Sequence, residues 1–503
     1  MVIQNFFYFY PQMSHSFSYD LNKRLTGQYD MYGKNVTYQY DGLNRRTQMT
    51  APDGRVFTYS YNTGNRLSQI VAASRTYGFT HDLAGQRTGL THPNGATTAY
   101  TYTPAGFLSS ILARNSQQVT IDSFAYTHDT LGRRTSLTDL AGLHTYQYDD
   151  TYQLTQATHP APPTEQFSYD SVGNRLGTTV DLNNALLEDS EFTYTYDYND
   201  NLIQKVKKAN GEITSFTYDY ENRLTRVQYP GMDAQYKYDA LGRRIEKSVN
   251  GQVTTYVYDG LNMVTDYNGL WTVRSKYVFG LGLDEPLSVD QGGSLYYYHQ
   301  DGLGSVNELT DASGNTVRTY RYDSFGKITN QTGGLDQPFT FTGREYDAET
   351  GLYYYRARYY DPKSGRFISK DPIGFEGGDV NLFRYVGNDP GNWVDPDGLQ
   401  AVFPFPVPLP FPIIPVPPVQ LTPHQWQDMR DFFNRPIESR GKSDPYKLPT
   451  VNPGKDACGK CNPCPPNSPV WEHTHEDGTV NRHQIVYNQN PNTCECKPTR
   501  IHL

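Results

Sequence analysis

Apolar and polar residues alternate in short runs along most of the chain. Phe216-Thr217-Tyr218 and Tyr236-Lys237-Tyr238 are typical, each placing aromatic side chains on one face of an extended segment. Each run ends in a turn. In Asp170-Ser171-Val172-Gly173 and Asp239-Ala240-Leu241-Gly242, Asp at the first position and Gly at the fourth suit a type I turn whose carboxylate bonds the backbone amides ahead of it. The unit recurs at Asp20, Asp41, Asn62, Asp82, Thr103, Asp129, Asp149, Asp170, Asp197, Asp219, Asp239 and Asp259, at intervals of 20 to 27 residues. Each period therefore predicts two strands and two turns. A two-stranded unit cannot bury an aromatic face alone, so the copies are expected to stack into one long antiparallel sheet, a β-solenoid or spiralling shell. The repeated Tyr and Asp are read as structural, with Tyr packing and Asp holding turns.

Composition agrees with a repeated all-β architecture. The 503 residues include 43 Tyr against 23 Phe and 4 Trp, together with 43 Gly and 33 Pro. Charged residues make up 19 % and the net charge is -9, which disfavours both a coiled coil and a strongly charged disordered chain. From residue 400 onward 10 Lys+Arg meet 9 Asp+Glu, a balance of +1, leaving -10 before it. Neither part is basic enough to mark a nucleic-acid surface. No apolar run reaches the 18 or so residues of a membrane span. The opening MVIQNFFYFYPQMSHSFSYD shows no signal-peptide pattern and runs straight into a repeat, as if the chain began inside a larger protein.

Between the repeats and the tail lie two Asp-Pro-x-Gly turns, Asp371-Pro372-Ile373-Gly374 and Asp395-Pro396-Asp397-Gly398. Singly, each is a turn with Pro second and Gly fourth. As a pair they carry chemistry. Two neighbouring carboxyls share a proton, so one can activate water while the other protonates the leaving or carbonyl group of a peptide.

The YD repeats, followed by YHQDGLGSV (298–306) and GLYYYRARYYDPKSGRFISKDPIGFEGGDVNLFRYVGNDPGNWVDPDGL (351–399), resemble the Rhs family of polymorphic toxins over residues 15–399. The resemblance implies YD strands wound into a hollow cocoon around a C-terminal toxin, with the core segment plugging one end. It implies aspartyl self-cleavage just after the second DPxGL, between Leu399 and Gln400, by Asp371 and Asp395. Arg366, in GRFIS, is expected to orient or charge-stabilise the site, and Lys370 adjoins Asp371 where many cores carry Arg. It also implies a cognate immunity protein, a secretion apparatus, and a protein made in a bacterial cytoplasm and delivered to a target cell.

The tail is a separate chemical unit. VFPFPVPLPFPIIPVPP (402–418) has proline at alternate positions and is read as an extended apolar tether, with a membrane insert as the poorer alternative. LTPHQWQDMRDFFNRP predicts a helix with Trp426, Met429, Phe432 and Phe433 on one face. All five cysteines, Cys458, Cys461, Cys464, Cys494 and Cys496, fall in the last 46 residues. Their clustering suits a thiolate zinc site; disulfides formed after export and free thiols are the alternatives. Trp471 to His475 and Arg482 to Tyr487 predict a hairpin bringing His473 and His475 opposite His483, a candidate catalytic or metal-binding group.

The expected organisation is thus a repeat β-shell over 1–330, a self-cleaving core over 331–399, a Pro-rich linker over 400–420, and a small α+β Cys/His-rich effector over 421–503. Two other readings remain: an adhesive or structural surface protein whose repeats bind glycans, and, for the tail, a metal-dependent nuclease that would meet nucleic acid.

Overall fold

The computed structural model describes residues 2–5, 15–161, 163–404, 471–474, 480–489 and 496–502. It is almost entirely antiparallel β, with short 3-10 turns as its helical pieces among the described residues. Two 16-stranded sheets, each a simple meander in chain order, run from Val2–Asn5 to Glu165–Gln166 and from Thr179–Val180 to Ile328–Thr332. The single long sheet expected from the repeat is therefore divided in two. The first sheet ends at Glu165–Gln166, still paired with Leu154–Thr158, and the break falls between Gln166 and Thr179, where an isolated bridge joins Tyr169 and Arg175.

Each repeat turn is built as its sequence predicts, with one addition. At Asp41 the Oδ1 atom accepts the backbone amides of Leu43 and Arg45, and Oδ2 accepts Arg45 Nε at 2.7 Å. The fourth turn residue is left-handed, at φ 64° for Asn44 and φ 76° for Gly242. That residue makes a bulge, so the register shifts at the Tyr before the Asp, between Gln39 and Tyr40 and between Lys237 and Tyr238. Adjacent strands within a repeat are then tied by a recurring bond. Tyr40 donates to the Leu25 carbonyl, Tyr61 to Arg46, Tyr238 to Leu224 and Tyr258 to Arg244. The arginine of one turn covers the Tyr ring before the next turn, as Arg45 does over Tyr61 at 4.6 Å and Arg243 over Tyr258 at 5.2 Å.

Alternation along many repeat strands gives one buried and one exposed face, as in Val56–Tyr61, while others such as Val306–Thr310 are buried throughout. The buried faces of the two sheets meet. Val36, Phe57, Ile70 and Tyr77 from the first share a core with Val257, Val278, Leu287 and Tyr297 from the second. Arg55 crosses the seam to the carbonyls of Val264 and Tyr277 at 2.8 and 3.0 Å. Burial of this kind contributes about 25 cal/mol per Å² of apolar surface, so the aromatic face is the main source of cohesion.

The core segment packs in the same compact unit, which extends through Pro415, while Val416–Leu503 forms a second. Its strands Glu345–Asp347, Leu352–Tyr355, Arg358–Asp361 and Arg366–Phe367 make a small sheet. Tyr353, Tyr355, Tyr360, Phe367 and Tyr385 form its own aromatic core. Polar bonds fasten it to both large sheets: Arg244 reaches Glu345 at 2.8 Å and Asp347 at 2.5 Å, and Asn388 reaches Gln153 at 2.9 Å.

The second unit contains a three-stranded antiparallel sheet, Trp471–Thr474, Val480–Gln489 and Cys496–His502. The first two strands are the predicted hairpin. The third was not anticipated. The Pro-rich run beyond Pro404 and the helix expected over 421–436 lie outside the described residues.

Candidate functional site

The core segment holds four Asp-Pro turns, at Asp361, Asp371, Asp389 and Asp395. Only two of them meet a common cation. Arg358 Nη2 lies 3.0 Å from Asp371 Oδ2 and 3.3 Å from Asp395 Oδ2, so the two carboxylates are no farther apart than the sum of those distances. The hairpin Tyr353–Tyr360 places Arg358 there, because Tyr355 pairs with Arg358 across a two-residue turn. Arg358 also donates from Nε to the Gly398 carbonyl at 2.5 Å and from Nη1 to Leu382 O at 2.9 Å, and its guanidinium lies 3.6 Å over the Phe367 ring. A cation with this many fixed partners is a rigid reference point.

One carboxylate also reaches the peptide predicted to be cut, and the other lies nearby. Asp395 Oδ1 accepts the amides of Leu399 at 2.9 Å and Gln400 at 3.0 Å, so it sits on the nitrogen of the Leu399–Gln400 bond. Asp371 is held by its own backbone amide on Leu382 O, and its Oδ1 accepts Ile373 N at 3.0 Å. A Cβ added at Gly377 would lie 2.9 Å from both Asp371 Oδ2 and Leu399 O, so these two oxygens flank Gly377 and are no farther apart than twice that distance. Only glycine permits that approach. Gly398, left-handed at φ 68°, packs directly on the Tyr355 carbonyl.

Asp371 and Asp395 are 7 % and 2 % exposed. Burial raises both carboxyls above the usual carboxylate range, and Arg358 offsets only part of that. Each also pushes toward the protonated form where it faces another acid: Asp371 feels Asp395, and Asp395 feels Asp397. Both carboxyls are thus shifted toward the protonated form, by burial first.

The basic partner differs from the one expected. Arg366 donates to the Asn184 carbonyl and covers the Phe383 ring at 5.2 Å, so its guanidinium serves the junction with the second large sheet. Lys370 is paired with Asp200 at 3.1 Å. Both are correctly near Asp371 in sequence and turned away from it in space. Arg358 was missed because it stands 13 and 37 residues from the two aspartates, a separation that only the hairpin closes. Asp389, the third acid of this run, bonds Asn392 at 2.7 Å, and burial pushes its carboxyl up to about 7.

In the second unit, backbone register pairs Trp471 with His483 and His473 with Asn481, while His483 pairs on its other side with His502. Cys496 opens the third strand opposite Gln489. His475, Cys458, Cys461, Cys464 and Cys494 lie outside the described residues. Among the described residues no group of three or more His, Cys, Asp or Glu is arranged to hold a metal ion, and no helix is long and apolar enough to cross a membrane.

Comparison with known proteins places this architecture. A Bacillus spizizenii protein, the tRNA3(Ser)-specific nuclease WapA, is 33 % identical over 275 residues, 50 % of this chain and 12 % of its own length. The double-stranded DNA deaminase toxin A of Burkholderia cenocepacia is 30 % identical over 310 residues, 52 % of this chain and 21 % of its own. This chain thus spans about an eighth to a fifth of those relatives. The crystal structure of the TcdB2-TccC3-Cdc42 complex shares the fold, with a TM-score of 0.58 and 19 % identity over 77 % of this chain and 24 % of that one. The teneurin YD-shell family model matches residues 3–136 and 117–390, covering the repeats and most of the core. The chain belongs to the teneurin YD-shell family, as its Rhs-like YD repeats imply.

Proposed function

We propose that the chain is part of a bacterial polymorphic toxin, in which a YD-repeat shell carries a C-terminal effector that its core releases by cutting the Leu399–Gln400 bond. The supporting observation is that Asp395 bonds the nitrogen of this peptide while Arg358 joins Asp395 to Asp371, whose Oδ2 flanks Gly377 together with the Leu399 carbonyl. In the proposed reaction the Asp371 carboxylate takes a proton from water, whose oxygen attacks the Leu399 carbonyl carbon. The Asp395 carboxyl, protonated in the reactive form, gives its proton to the Gln400 nitrogen as the C–N bond breaks. The products are a Leu399 carboxylate and a Gln400 amine. Arg358 holds Gly398 O and both acids in register and stabilises charge as it builds on them.

The segment 400–503 is the proposed effector, and the shell is proposed to enclose it. Between strands 35–92 and 255–300 apolar side chains already fill the space, so the enclosed volume must be elsewhere in the assembled shell. The relatives named as a tRNA nuclease and a DNA deaminase favour a nucleic-acid target for this segment, with His473, His475 and His483 as candidate acid, base or ligand groups. Its five cysteines are a donor set suited to one zinc, which would order their loops. Such an effector requires an immunity protein in the producing cell and a delivery apparatus.

The deciding experiment is the denatured mass of the purified full chain. Two pieces meeting at Leu399 and Gln400 are expected, and an intact chain under all conditions would overturn the self-cleavage reading. Expression of residues 400–503 inside a bacterium separately tests the effector, where toxicity is expected, and metal analysis of that segment should find about one zinc per chain.

A further inference from the structure

The turn that presents Arg358 also presents Arg356, which touches neither aspartate of the pair. Arg356 is left-handed, at φ 57°, in a hairpin position where glycine is the usual occupant. Its side chain explains why an arginine is kept there. Nη2 lies 2.5 Å from Asp284 Oδ1 and Nη1 lies 3.1 Å from Asp284 Oδ2, a two-pronged grip on a carboxylate of the repeat sheet. Nη1 donates as well to the Pro396 carbonyl, inside the second Asp-Pro turn, and stands 3.5 Å from Asp397. The neighbouring Ala357 amide donates to Asp397 O at 3.1 Å.

Asp284 belongs to the connection between strands Val273–Phe279 and Pro286–Gln291, and is 7 % exposed with φ 54°. It also accepts Arg344 Nη1 at 2.6 Å. One shell carboxylate therefore fixes two core arginines, and one of those holds the turn that supplies Asp395. Arg358 already secures the far end of that turn through Gly398 O. What Arg356 adds is a direct link to the repeats.

We propose that Asp284 and Arg356 are positioning residues for self-cleavage, the shell carboxylate setting Arg356, Arg356 setting the Pro396 carbonyl, and the cut waiting until the 280–285 connection has docked on the core. This rests on the self-cleavage reading. Its consequence is that processing reports completed folding of the repeat sheet. A chain with an undocked connection would carry both aspartates and leave the scissile turn out of register.

The test uses the full chain made by cell-free translation, with pulse-chase measurement of the rate at which residues 400–503 appear. Asp284→Asn and Arg356→Gln are each expected to slow release about 100-fold. The double variant should be no slower than either single, because both break one link. Arg356→Lys should recover part of the rate. In an Asp395→Asn background that stays intact, the melting midpoint is expected to fall for Asp284→Asn, which leaves Arg344 and Arg356 without their buried carboxylate, so release rates are compared well below every midpoint. Release from Asp284→Asn at the parental rate would overturn the proposal and leave the self-cleavage reading standing. A rate loss that merely follows loss of melting stability, with no recovery in Arg356→Lys, would also overturn it. A parental chain that never cleaves removes both.

Discussion

Aspartates open turns in both the repeats and the core, and their surroundings give them opposite properties. Asp20 and Asp41 lie at the rim, each with its own arginine four residues on. At Asp20 the Arg24 backbone amide, followed by its side chain, holds the carboxyl below its ordinary range; at Asp41 the bonds from Arg45 outweigh a burial cost and do the same. Asp371 and Asp395 make similar backbone bonds, yet they are buried and share one guanidinium, and burial lifts them. An aspartate with a private arginine is locked as an anion and shapes a turn. Two that share an arginine away from water can pass a proton.

Removing a carboxylate tests this contrast most severely. Asp371→Asn or Asp395→Asn should slow release of residues 400–503 by about 10²–10⁴-fold, read from denatured mass, while Asp41→Asn should leave it unchanged. Equal effects at the two kinds of turn would erase the distinction.

A second test moves to the cation buried between shell and core. Arg244 is 1 % exposed and faces both Glu345 and Asp347. Arg244→Met leaves Glu345 without its cation and Asp347 with Lys247 alone, and should cost about 3–5 kcal/mol in urea unfolding of the uncleaved Asp395→Asn chain. A loss below about 1 kcal/mol, the usual worth of an exposed pair, would mean the junction is no better than the rim.

The proton that the proposed reaction needs also predicts a pH dependence. Because both core carboxyls are raised, the singly protonated pair persists above the ordinary Asp range, and release should then fall about tenfold per pH unit as the last proton leaves. Asp389 gives the corresponding stability test. Its carboxyl ionises near 4 when unfolded and at about 7 when folded, so the native state binds the extra proton between them. Stability should therefore decline as pH rises through that window, and Asp389→Asn should flatten the decline in urea titrations.

The smallest effect belongs to the rim. Arg45→Ala removes a partly exposed pair and should cost about 0.2–1 kcal/mol. A larger loss would show that its cover over Tyr61 carries more of the repeat contact than its charge does.

Sequence made the repeat legible because each period encodes its own bonds: Tyr before Asp, Asp before Gly or Asn, then Arg. The division into two sheets was harder to read, since the gap between Gln166 and Thr179 carries the same Asp-to-Gly turn, at Asp170 to Gly173, as an ordinary repeat. At the site, the aspartates stood out through Asp-Pro-x-Gly spacing, whereas the choice among arginines did not. Arg366 is nearest Asp371 along the chain, but the strand pairing of Asp361 with Arg366 turns it to the junction, and the tight Tyr355–Arg358 hairpin brings Arg358 instead. In the tail the two hairpin strands were legible but their register was not, since His483 pairs with Trp471 and His473 with Asn481; the third strand, Cys496–His502, shows little alternation.

The recurring bond from a YD tyrosine to a carbonyl of the preceding strand bears on how such genes change. Because donor and acceptor lie on adjacent strands inside one period, unequal crossing-over that duplicates or deletes an entire repeat carries such a tyrosine together with its carbonyl, as Tyr40 goes with Leu25 and Tyr61 with Arg46. An exchange of part of a repeat leaves an orphaned hydroxyl and a strand shifted by the bulge. Length variation among these genes is therefore expected in whole steps of the period, with the chemistry of the core untouched by how many steps precede it.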